Sequence, residues 1–198
     1  MAQTTDLSAN SALVWMRLDD DLPAKHLLNR MKKQELIVSL PVKQITVLLA
    51  EDHASFRKSL KLLVELDGDI EVVGEAKNGR EAMQLAMSLH PEVIVMDIAM
   101  PLLNGLQATQ QIMEASPTTR VLILSSHPDP AYIEQAMILG ASGYLIKQSS
   151  TQFLAQAVRE VQRGNTYFST SISKNLRNQY RKLFGKSELL KRKTALAA

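Results

Sequence analysis

The sequence predicts an α/β fold in which one parallel sheet carries helices on both faces. Three observations point there. Between residues 45 and 164, five short apolar runs alternate with five stretches of helical periodicity, the order expected of repeated strand–helix units. The clearest run, Val93-Ile94-Val95-Met96, is apolar at every position, as in a strand buried on both faces. Two of the runs end at once in carboxylates, Glu51-Asp52 and Asp97, which belong on the carboxyl edge where open α/β sheets keep their ligand sites.

Each element has its own signal. The first strand is 45–50. A helix follows from Ser55 to Leu66, with Phe56, Leu60, Leu63 and Val64 on one face, and Asp67-Gly68-Asp69 breaks it. The second strand is 70–76. Asn78-Gly79 turns into a helix with Ala82, Leu85, Ala86 and Leu89 at helical spacing, and Pro91 ends it before the third strand. Past Pro101 and Gly105 a third helix runs to Ser116-Pro117, with Leu106, Ile112 and Met113 inward. Val121 to Leu124 is the fourth strand, ending in Ser125-Ser126. Pro128-Asp129-Pro130 starts the fourth helix, which Gly140 closes. The fifth strand is 144–146 and ends in Lys147; the last helix covers 151–162, with Phe153, Leu154, Ala157, Val158 and Val161 toward the sheet. Carboxylates on strands one and three place the switch point between them, which favours the flavodoxin-like order 2-1-3-4-5.

The strand ends share one edge: Glu51-Asp52, Asp97, Ser125 and Lys147. Carboxylates gathered there stay ionised only beside a cation, and an all-oxygen set suits a hard divalent one. Each member has a task if the site handles a phosphoryl group. A carboxylate can accept it as an acyl phosphate, and a cation bridging Asp52, Asp97 and the phosphoryl oxygens cancels developing charge. Lys147 adds a second positive charge, and Ser125 a short hydroxyl donor. His53 and His127 flank this edge, but imidazole suits softer metals than the oxygen set implies.

Four segments carry a family likeness: Ala50-Glu51-Asp52-His53, Val95-Met96-Asp97-Ile98-Ala99-Met100-Pro101, Leu124-Ser125-Ser126-His127 and Gly140 to Lys147. In order and spacing they resemble the receiver domain of bacterial two-component response regulators, nearest to the NarL, FixJ and LuxR type. The resemblance implies that Asp97 is the phosphoacceptor, supplied by a sensor histidine kinase. It implies Mg²⁺ held by Asp52, Asp97 and the backbone carbonyl of Ala99, with Glu51 acting through water. Ser125 and Lys147 would contact the phosphoryl group, drawing Ser125 toward it while Tyr144, the aromatic switch, turns inward. Glu51 stands where Asp is common and Ser125 where Thr is common, and neither change removes the needed group.

Composition sets the rest. Residues 171–198 carry +7 and residues 1–44 carry +1, so within a total of +3 the middle holds −5: an acidic body with a basic tail. No apolar run approaches the roughly 20 residues of a bilayer span, there is no signal-peptide pattern, and there are no cysteines. The expectation is a cytoplasmic, non-enzymatic switch with three parts. Residues 1–44 are an extension with a short helix between Ala24 and Leu36, 45–164 the receiver, and 165–198 a basic linker with a helix from Ser171 to Phe184. Family members of this type continue into a helix-turn-helix domain, and no recognition helix is evident here. A signalling receiver without its output domain, able to form a homodimer on phosphorylation, is therefore the first reading, with no specific DNA binding by this chain alone. The rivals are a DNA-binding regulator acting through its basic tail, and a partner-binding module that competes with a full-length regulator.

Overall fold

The computed structural model describes residues 43–172, 174, 177–180 and 182. The expected extension before residue 43, with its short helix, and the tail beyond 182 lie outside the described residues. The elements run β1 (Ile45–Ala50), α1 (Ala54–Glu65), β2 (Ile70–Ala76), α2 (Gly79–Leu89), β3 (Val93–Asp97), α3 (Gly105–Ala115), β4 (Arg120–Ser125), α4 (Pro130–Ile138), β5 (Gly143–Ile146), α5 (Ser150–Gln162) and β6 (Tyr167–Phe168). All strand pairs are parallel, in the order β2-β1-β3-β4-β5-β6.

The first five strands take the expected order, and a sixth extends the sheet. Residues 167–168 are too short for a strand pattern, yet they pair with Gly143 and Tyr144 of β5. Beyond them the Ser169 side chain takes over from the ladder: its Oγ accepts the Ile146 N–H at 2.8 Å, and its own N–H donates to the Tyr144 carbonyl at 3.0 Å. Phe168, Ile172 and Tyr180 are buried in the same cluster as Tyr144, so the start of the expected linker contributes to the core. Of the helix expected from Ser171 to Phe184, residues 173, 175, 176, 181, 183 and 184 lie outside the described residues.

Strand alternation sorts the core into two layers. Val47, Leu49, Val93, Val95, Leu122, Leu124 and Leu145 meet Leu60 and Val64 of α1 and Leu154, Ala157, Val158 and Val161 of α5. On the opposite face Leu48, Ile94, Met96, Ile123 and Tyr144 meet Ala82 of α2, Ile112 of α3 and Ile133 of α4. A bulge in β2 lets one strand serve both layers. Val47 pairs with Val72 but Leu48 with Gly74, so the chain past Val73 changes face, and Ile70 and Val72 lie in one layer while Ala76 lies in the other.

Helix starts follow from local chemistry. Asn78 accepts the Glu81 N–H, while the Glu81 carboxylate accepts the Lys77 N–H at 2.9 Å, a reciprocal cap. Asn104 caps α3 through the Gln107 N–H, and Asp129 caps α4 with Pro130 in its first turn. No helix among the described residues is long and apolar enough to cross a membrane.

Candidate functional site

The site lies where β1, β3 and β5 end. Ala50 pairs with Met96, so the next residue of each strand, Glu51 and Asp97, leaves the sheet side by side. Both continue the odd-numbered positions of their strands toward the α1/α5 layer, and Lys147 continues β5 toward the same layer after Leu145. The Lys147 ammonium therefore bridges the two acids, 2.8 Å from Glu51 Oε2 and 3.0 Å from Asp97 Oδ2. Glu51 is 1% exposed and Asp97 2% exposed, so the cluster is desolvated. Burial alone would lower the Lys147 pKa, but bonding to Glu51 and Asp97 outweighs it and holds the ammonium above its usual range.

Asp52 turns to the more open side, where the His53 Nδ1 lies 2.8 Å from its Oδ1 and 3.1 Å from Glu51 Oε1. The hydrogen bond to Glu51, then the Asp52 charge, raises the His53 pKa. The ligand atoms of Glu51, Asp52 and His53 come within 4.8 Å of one another, whereas Asp97 stands outside that trio, across the lysine. Glu51 Oε2, Asp52 Oδ1 and Asp97 Oδ2 are shielded from solvent and lack a hydrogen bond of good geometry; ion pairing alone holds them. Two buried carboxylates facing one lysine, with Asp52 beside them toward His53 and a solvent-shielded oxygen on each of the three acids, form a donor set that fits a hard divalent cation.

The backbone around Asp97 is fixed from the far side. Gly105 donates its N–H to the Ile98 carbonyl at 3.0 Å, and a Cβ on Gly105 would collide with the Asp97 carbonyl oxygen. Only glycine lets α3 start this close to the strand end. Ala99 is exposed in the intervening loop, two residues past Asp97.

Ser125 and Tyr144 occupy the opposite layer, together with Ile123 and Ile146. Ser125 is 1% exposed and its Oγ accepts the His127 N–H at 3.1 Å. The Tyr144 ring is fully buried, and its hydroxyl donates to the His127 carbonyl at 2.8 Å; burial chiefly raises its pKa. The Tyr144 side chain is thus turned inward in this structure. The His127 ring itself stacks on Tyr132, with centroids 5.4 Å apart.

Two further residues contribute that their sequence positions did not disclose. Phe56, expected only as a core residue, lies under the Lys147 ammonium, 5.2 Å from Nζ to the ring centroid. Arg57 donates from Nη1 to the Glu51 carbonyl at 2.6 Å and from Nε to Glu75 at 3.0 Å, tying β1's exit to β2. The available signal was their place in the first turn of a helix that begins directly after the acidic pair.

Comparison with known proteins agrees with this geometry. Residues 47–159 match the family described as the response regulator receiver domain. The chain is 35% identical over 145 residues to the transcriptional regulatory protein DegU of Brevibacillus brevis, covering 73% of this chain and 61% of that protein. It is 37% identical to the oxygen regulatory protein NreC of Staphylococcus carnosus, over 68% of this chain and 62% of that protein. It spans about six-tenths of the length of these curated relatives. Among solved structures, a two-component response regulator of the LuxR family from an Aurantimonas species superposes with a TM-score of 0.65 at 30% identity, covering 69% of this chain and 97% of that one. The signal receiver domain of NarL from Mycobacterium tuberculosis gives 0.60 at 33% identity, covering 62% and 99%.

Proposed function

Because the chain belongs to the response regulator receiver family, we propose that it is a signalling switch that accepts a phosphoryl group on Asp97 from a sensor histidine kinase. The observation that carries this reading is the pair of contacts from Lys147 to Glu51 and Asp97 at the sheet edge. An Asp97 carboxylate oxygen attacks phosphorus, the bond from phosphorus to its donor breaks, and an acyl phosphate results. The Lys147 ammonium stays beside the reacting oxygens and offsets the charge they gain. Ser125, on the opposite layer, offers its hydroxyl hydrogen to a phosphoryl oxygen.

Asp52, Asp97 and the Ala99 carbonyl would hold Mg²⁺, with Glu51 reaching it through water. When bound, that cation supplies charge neutralisation at the phosphoryl oxygens. The inward Tyr144 then reads as the switched arrangement, held by its bond to the His127 carbonyl two residues beyond Ser125. The surface of α4, β5 and α5 would pass the signal on, to a second copy or to the regulation of transcription that the relative's name, DegU, states for that protein. The product is the protein's own side chain, so the role is that of a switch and not of an enzyme.

The test is intact-mass measurement after incubation with acetyl phosphate and Mg²⁺. The parent gains the mass of one phosphoryl group and Asp97→Asn gains none. Equal uptake by the two proteins would overturn the assignment.

A further inference from the structure

Two acids and an aromatic ring meet at Lys147. Glu51 and Asp97 lie on one side, and the Phe56 ring faces the ammonium 5.2 Å from its centroid. That distance is within the range for attraction between a cation and the negative face of an aromatic ring, an attraction that grows where water is excluded. Lys147 is 17% exposed, so most of its solvent shell has been replaced by these groups. Phe56 cannot drift freely. It lies in α1 one residue before Arg57, whose guanidinium is anchored to the Glu51 carbonyl and to Glu75, and it packs against the α1/α5 core layer.

We infer that Phe56 is a positioning residue for the phosphorylation reaction, its ring holding the Lys147 ammonium at Asp97 without competing as an anion. The inference rests on the reading of Asp97 as phosphoacceptor. A third carboxylate at this place would draw the lysine away from the reacting oxygens, and an aliphatic side chain would leave the ammonium to swing toward water or to settle on Glu51 alone. The ring does neither. It is neutral, polarised toward the cation, and too large to let water in behind it.

The experiment compares Phe56→Leu and Phe56→Tyr with the parent in the full chain, phosphorylated by acetyl phosphate with Mg²⁺. The rate of acyl phosphate formation in Phe56→Leu is expected to fall about tenfold, and Phe56→Tyr, which keeps the ring, to stay within about twofold of the parent. In NMR spectra the Lys147 ε-methylene protons, shifted by the ring in the parent, move toward ordinary lysine values in Phe56→Leu and not in Phe56→Tyr. Phe56→Met carries the same expectation if the leucine variant does not fold. Phe56→Leu reacting at the parent rate, or Phe56→Tyr slowing as much as Phe56→Leu, would overturn the inference while uptake confined to Asp97 left the phosphoacceptor reading intact. Equal uptake by Asp97→Asn and the parent would overturn both.

Discussion

Lys147 is the residue on which the acidic edge balances. Two carboxylates that are almost wholly buried face one ammonium, and the oxygens it meets, Glu51 Oε2 and Asp97 Oδ2, have no well-directed hydrogen bond to replace it. Removing one partner of a buried ionic group costs more than the pair contributes, because the remaining charge stays desolvated. Lys147→Met is therefore expected to lose about 2–4 kcal/mol in urea unfolding without Mg²⁺, a figure trimmed for the residual exposure of the lysine. An unchanged midpoint would mean that the acids find another cation. Away from the site, Arg159 spans Asp67 and Asp69 at 2.6 and 2.7 Å. Its hydrogen bond lowers the Asp69 pKa below the ordinary 3.8. A depressed carboxylate contributes stability that is complete above pH 3.8 and is lost as pH falls through the lower folded value. Arg159→Ala should thus cost about 1 kcal/mol at pH 7, discounted for exposure, and the difference from the parent should shrink below pH 3.8. A gap that widens in acid would contradict the sign. At this scale the sequence placed Glu51, Asp52, Asp97, Ser125 and Lys147 at the strand ends, because strand ends in a parallel sheet share an edge, and the structure brings Glu51, Asp97 and Lys147 into contact. The sequence did not disclose Phe56 or Arg57, since a side chain over a lysine and one facing only the core have the same helical periodicity.

The elements are placed by a few close approaches. α3 begins against the Asp97 carbonyl because residue 105 is glycine, and the Gly105 N–H returns to Ile98. Adding a methyl there must push the helix from the loop that carries Ala99, so Gly105→Ala should destabilise by about 1–3 kcal/mol and slow phosphorylation as well. Loss of stability with the rate unchanged would show that the helix start does not position Asp97. At the other edge Ser169, wholly buried, acts as a ladder residue for Ile146, the last residue of β5 before Lys147. Ser169→Ala leaves that N–H without its acceptor in the interior and is expected to cost about 1–3 kcal/mol, with faster hydrogen exchange at Ile146. The strands and helices were legible because apolar runs and helical periodicity alternate cleanly and because Asn, Pro and Gly punctuate them. β6 was not, since two residues cannot display a period. The bulge in β2 was equally hidden, since Val72-Val73 reads as uninterrupted strand and only pairing with β1 reveals the skipped residue.

For the molecule as a whole, the sheet sends the strand-end side chains to two different layers. Glu51, Asp97 and Lys147 face the α1/α5 layer, whereas Ser125 and Tyr144 face the layer of α2, α3 and α4, which also receives Phe168, Ile172 and Tyr180. If Asp97 is the phosphoacceptor, a change there would meet the second layer at the strand ends, through Ser125, the β5 backbone and the start of α3 at Gly105. The acidic body was legible from charge alone, but the depth to which Phe168, Ile172 and Tyr180 join the core was not, because the basic residues around them read as a linker. Phosphoryl acceptance by the Asp97 carboxylate is tested most directly by treating the full chain with acetyl phosphate and Mg²⁺, trapping the acyl phosphate with borohydride and locating the reduced residue by peptide mass spectrometry. Reduction at Asp97 alone is expected. Reduction at Glu51 or Asp52 in its place, or a protein that takes up no phosphoryl group while a known receiver does so in the same tube, would contradict acceptance at Asp97.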